Sequence, residues 1–120
     1  YLRADLLKVP HHGSDDFYPR FFELVDPTVA IVPCAYSKSS EHPYKGCVAK
    51  LRECMAPLPA AQAPYGQILA VGKERVPRGD QAQMDYLNRT VYACCSATGE
   101  IKVWDDKNEG GKPLISCMSR

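Results

Sequence analysis

Leu6-Leu7-Lys8-Val9-Pro10-His11-His12-Gly13-Ser14 is the stretch on which the fold reading turns. Its first four residues form an apolar run too short for a helix, and Pro10 ends it, so the segment reads as a buried β-strand emptying into a loop. Two imidazoles then stand at a strand end. Downstream, Ser14 and the acidic pair Asp15-Asp16 are helix-starting residues. Phe17, Phe21, Phe22, Leu24 and Val25 recur at helical spacing until Asp26-Pro27 breaks the pattern. Thr28 to Val32 is β-branched and apolar, and Pro33 closes it. Strand, helix, strand is the result, for which a right-handed crossover is the default geometry.

Further along, the polar loop Ser37-Lys38-Ser39-Ser40-Glu41 leads to His42-Pro43, and Val48, Leu51 and Met55 then mark one face of a second helix. Residues 56–88 change character, because Pro57, Pro59, Pro64 and Pro77, with Gly66, Gly72 and Gly79, interrupt any long element. We read this stretch as an insertion in which Gln67 to Gly72 has the pattern of a short strand. Thr90 to Cys95 and Glu100 to Trp104 are apolar and β-prone, and Ser96-Ala97-Thr98-Gly99 joins them as a hairpin; a last short strand falls at Leu114 to Cys117. The order βαβα followed by a β-hairpin predicts an α/β layered domain, or half of one, spanning residues 1–120 as a single unit.

Bulk properties exclude several classes. With a formal net charge of +1 and 24% charged residues the chain carries no basic footprint for nucleic acid. Its longest apolar runs, such as Val29-Ala30-Ile31-Val32, fall far below the roughly 20 residues that span a bilayer, so no membrane segment is expected. Six cysteines show no C-x-x-C pair or regular framework. Cys34, Cys47, Cys54 and Cys94 lie in or beside apolar elements, where a thiol behaves as a small hydrophobe, and they read as buried and reduced. Lack of a disulfide pattern and of a signal segment favours the cytoplasm. A thiol-redox role for Cys94-Cys95 is the weakest functional reading, since adjacent cysteines rarely pair with each other and their strand reads as core.

All three histidines fall in loops that follow strands, where open α/β sheets place binding groups. Neutral imidazole is a ligand for zinc, manganese or iron, and Gly13 lets the backbone turn closely past a metal or substrate. Taken alone, a histidine at such a place more often caps a loop or bonds locally than holds a metal. The wider pattern is more specific. L-R-A-D-L-L-K-V-P-H-H-G-S, then Pro27-Thr28-Val29-Ala30-Ile31-Val32, then His42-Pro43 opening a helix, resembles the metallo-β-lactamase-fold domain of ComEC-type competence proteins and their stand-alone relatives. The likeness covers roughly the first 55 residues. Arg89-Thr90-Val91-Tyr92 and Gly99-Glu100-Ile101 weakly echo the hairpin that ends such domains.

That resemblance implies the C-terminal half of an αββα sandwich and a hydrolase that uses one or two metal ions, zinc or manganese, on an ester, amide or phosphodiester. Phosphodiesters or nucleic acid are the implied substrates. By position, His12 is the first choice as a metal ligand, and His11 is a second ligand or the group that orients it. His42 stands at the mouth, contacting an oxyanion or donating a proton, with Ser14 a nearby hydrogen-bond donor.

The departures are equally definite. No H-x-H-x-D-H motif is present, no histidine precedes His11, and the acidic ligand of an upstream G-D turn is missing. Gly79-Asp80 lies far downstream and reads as a turn, and Asp5 reads as a strand junction. Two or three imidazoles from one segment rarely suffice for a catalytic metal, so the chain is expected to be an inactive fragment that needs the N-terminal half of its domain, with a homo-oligomer as the other arrangement. The competing class is a non-catalytic interaction module that keeps the fold and has lost the metal.

Overall fold

Alternation along three short strands sorts the core into two layers. The computed structural model describes residues 2–34, 42–55, 67–72, 85–87 (backbone only), 90–107 and 111–119. Strand β1 (Leu6–Lys8), helix α1 (Pro19–Val25), β2 (Val29–Pro33), α2 (Lys45–Cys54), β3 (Ile68–Val71) and β4 (Asp85–Leu87) follow in chain order. The four strands form one parallel sheet in the order β1-β2-β3-β4. Registers pair Leu6 with Val29 and Ala30 with Ile68. Because side chains alternate across a strand, Leu7, Val9, Ala30, Val32, Ile68 and Ala70 face the helices, and Val29 and Leu69 face the other way.

Phe22 and Val25 of α1 and Cys47, Val48 and Leu51 of α2 fill the helix side, each at most 3% exposed. Lys50 ties the helices together at the rim through its 2.8 Å ion pair with Glu23. The opposite face carries an antiparallel sheet of β5 (Val91–Cys95), β6 (Glu100–Asp105) and β7 (Ile115–Met118), in that order. Ile101, Val103, Ile115 and Cys117 pack from it onto Val29 and Leu69. The protein is thus a mixed α/β chain of helix layer, parallel sheet and antiparallel sheet.

Both expected helices and the hairpin are present, with Gly99 at the turn at φ 88. Strands β3 and β4 come from the stretch 56–88 that reads as an insertion; residues 56–66, 73–84 and 88 lie outside the described ones. Two expectations are corrected. Helix α1 begins at Pro19 after Tyr18, not at the Ser14-Asp16 cluster, where the Ser14 and Asp16 side chains bond to His11 and to each other instead. Cys94, read as buried, is exposed together with Cys95. The reason is that β5 overhangs the parallel sheet: apart from half-buried Val91, its residues are exposed. Cys34, Cys47 and Cys117 are buried and Cys54 is half-buried.

Candidate functional site

At the C-terminal end of β1 the backbone winds through three consecutive left-handed residues, His11 at φ 50, His12 at φ 57 and Gly13 at φ 68. Such conformations are costly for residues with a Cβ, and they cluster where a tight turn must present side chains in a set direction. Ser14 N–H closes the turn on the His11 carbonyl at 3.0 Å. The neighbouring loop seats itself on this turn, since Tyr44 N–H donates to the Gly13 carbonyl at 2.7 Å. His42, immediately before the cis His42–Pro43 peptide, is thereby brought beside the pair.

The three imidazoles form a triangle. Ring centroids lie 6.4 Å apart for His11 and His12, 6.4 Å for His11 and His42, and 5.9 Å for His12 and His42. The sequence separates His42 from the pair by about thirty positions, and the fold brings all three together at adjacent strand ends.

Hydrogen bonding fixes how two of them present themselves. His12 Nδ1–H donates to the Pro33 carbonyl, at the end of β2, at 2.7 Å. His11 Nδ1–H donates to Asp16 Oδ1 at 2.7 Å. The Ser14 hydroxyl also donates to Asp16 Oδ1 and lies 3.1 Å from His11 Nδ1. Those bonds to Ser14 and His11, the Ser14 hydroxyl foremost, hold the Asp16 carboxyl below the ordinary carboxylate range. With each Nδ1 engaged as a donor, the Nε2 lone pairs of His11 and His12 are left for an electrophile, the arrangement that orients metal-bound histidines. Ser14 itself is 5% exposed, and its hydroxyl braces the turn.

His42 differs, because its Nδ1 is buried and has no hydrogen-bond partner among the described residues. A buried polar atom without a partner carries a desolvation penalty, and such atoms cluster at sites completed by a ligand or ion.

A metal can be tested against this geometry. Among the described residues, no group of three or more His, Cys, Asp or Glu side chains is arranged to hold one. The two free Nε2 atoms and the orphaned His42 nitrogen suit a borderline-soft cation, yet they do not complete a cage, and Asp5 is engaged elsewhere by the Thr28 hydroxyl at 3.3 Å. Gly79-Asp80 falls outside the described residues. Sequence reasoning found all three imidazoles and missed Asp16 and the Pro33 carbonyl. The only available signal for Asp16 was a carboxylate five residues after a histidine, which has meaning only once the left-handed turn is known.

Compared with known proteins, no family model, no curated protein and no solved structure matches the chain. No described helix is long and apolar enough to cross a membrane.

Proposed function

We propose that the chain is the C-terminal part of a metal-dependent hydrolase of the metallo-β-lactamase superfamily, of the ComEC-like kind, acting on phosphodiesters. The observation that carries the reading is the imidazole triangle. Two of its rings are tethered through Nδ1 so that Nε2 is available, and the third holds a buried nitrogen without a partner among the described residues. Zinc or manganese, when bound, supplies Lewis acidity that polarises the scissile bond and eases deprotonation of water. In this reading His12 and His11 are ligands through Nε2, and the Pro33 carbonyl and Asp16 hold their rings in place. His42 meets the substrate oxygen at the mouth and holds or gives a proton there. Ser14 keeps Asp16 fixed.

The remaining ligands come from outside the described residues, in the N-terminal half of the same domain. Support for a missing layer comes from the antiparallel sheet, which covers the parallel sheet incompletely. A groove of about 530 Å³ runs between the two, lined by Leu6, Ile31, Pro33 and Val71 on one wall and Val91 and Ala93 on the other.

Metal titration of the complete domain tests the proposal. Binding of about two zinc or manganese ions is expected. His12→Ala abolishes hydrolysis and weakens metal binding, and Asp16→Asn weakens metal binding by about 10–100-fold. His42→Ala keeps the metal and loses turnover. A complete domain that takes up no metal overturns the reading in favour of a non-catalytic interaction module.

A further inference from the structure

Between the Pro10–Gly13 turn and the start of α1 lies a depression of about 400 Å³ that the imidazole triangle does not account for. Phe17, Tyr18, Phe21 and Phe22 line it, with His11, Ser14 and Asp16 at its polar end. Packing holds two of these rings against a third. Phe17 stacks on Phe22 at a centroid distance of 5.6 Å and an interplanar angle of 18°, and Phe21 meets the same ring at 5.8 Å and 55°. Phe22 is 1% exposed, so both walls rest on a side chain fixed in the core. Tyr18, 70% exposed, stands on the rim.

At the polar end the hydrogen-bonding groups satisfy one another. His11 Nδ1–H and the Ser14 hydroxyl both donate to Asp16 Oδ1. Those bonds favour the ionised carboxyl, so its negative charge stays at the edge of the depression. Among the described residues no lysine or arginine lines it, and nearby Arg20 is paired with Glu23 at 2.8 Å.

Three kinds of charged ligand fare differently in such a place. An anion is repelled by Asp16. A primary ammonium brings three N–H donors, and with Oδ1 already engaged too few acceptors remain to replace the water it gives up. A trimethylammonium group has no N–H to satisfy. Its charge is spread over methyl groups that pack on ring faces, and the ring quadrupoles attract it. A cavity of about 150 Å³ holds a benzene, so a head group of similar bulk fits the volume.

We propose that the depression binds a small quaternary ammonium compound, its trimethylammonium head between Tyr18 and Phe21 and against Phe17, with the Asp16 carboxylate as counter-charge. The site goes beyond the hydrolase reading and needs neither a metal nor a scissile bond. It uses the face of His11 and Asp16 turned toward the aromatic rings, and leaves the imidazole Nε2 atoms to their own role.

The test uses the 120-residue chain with a chelator present, and measures by nuclear magnetic resonance titration the binding of choline, its neutral carbon isostere 3,3-dimethylbutanol, and ethanolamine. Choline is expected to bind more tightly than the isostere by about 5–30-fold, the margin that two ring faces supply at an exposed site, and more tightly than ethanolamine. Tyr18→Ala, at an exposed side chain, lowers choline affinity by about 2–5-fold in a chain whose circular dichroism is native. Tyr18→Ala combined with Phe21→Leu removes the margin over the isostere. Asp16→Asn weakens choline by up to about fivefold and spares the isostere. Tyr92→Ala, at a half-exposed ring on the antiparallel sheet, changes neither. Four results overturn the proposal: no choline binding, equal affinity for choline and the isostere, ethanolamine matching choline, or a margin that survives in the double variant. A chain that binds phosphatidylcholine vesicles but not choline overturns it as well. With metal excluded throughout, each outcome leaves the hydrolase reading to its own metal titration.

Discussion

A methyl group on Gly13 would stand 3.0 Å from Pro43 Cβ and 3.1 Å from Val32 Cγ1, at a backbone φ of 68. Both neighbours are anchored, one in the His42 loop and one in the core of β2, so neither gives way cheaply. Gly13→Ala is therefore expected to lower stability by about 1–3 kcal/mol through strain and close contact together. The check is a shift of the urea midpoint at unchanged slope; an unaltered midpoint would mean that the two loops are not held this closely. At this scale the sequence was partly legible. A glycine beside two histidines announces a tight turn, and strand ends are where ligands gather, so His11, His12 and His42 stood out. The roles of Asp16 and Ser14 did not, since acidic and hydroxyl residues before an aromatic periodic run read more simply as a helix cap. Only the left-handed turn, which propensity does not foretell for histidine, swings Asp16 back to His11.

Elements were more legible than residues wherever burial and period agreed. Helix α2 follows from Val48 and Leu51 at one-turn spacing, and β2 from its apolar, mostly β-branched run Thr28 to Val32. Strand β5 misled, because apolar composition reports a preference for strand and not whether a sheet lies beneath it. Within α2 a thiol provides a test by pH. Burial pushes the Cys47 thiol from its ordinary 9.0 up to about 11. Since the folded state keeps this proton where the unfolded chain releases it, the contribution is fully present below pH 9. It declines as pH rises toward 11, and beyond that the loss levels off. Denaturation at pH 8, 9.5 and 10.5 is expected to show a steeper decline for the natural chain than for Cys47→Ala, although the variant starts lower because of its cavity. Parallel declines would place the alkaline sensitivity elsewhere.

At the scale of the whole molecule, the parallel sheet is covered by two helices on one face and only in part by β5, β6 and β7 on the other. Composition foresaw layering, because βαβα order leaves few alternatives, but it could not foresee an overhanging strand whose residues beyond Val91 are exposed on both faces. The overhang makes the missing-layer proposal measurable. Alternation puts Val91, Ala93 and Cys95 on the face that looks toward the groove, and Tyr92 and Cys94 on the other. In the isolated chain, Cys94 and Cys95 are both exposed, so both should react quickly with a thiol reagent, well ahead of buried Cys34, Cys47 and Cys117. Once the N-terminal half occupies the groove, Cys95 should slow at least severalfold while Cys94 keeps its rate, read by mass spectrometry of labelled peptides. Equal protection of both thiols would mean that the partner covers β5 from the other side or pairs along its edge, and unchanged rates for both would leave the groove without the occupant proposed for it. The contrast between two adjacent cysteines thus reports which face of one strand is completed, independently of whether the imidazoles hold a metal.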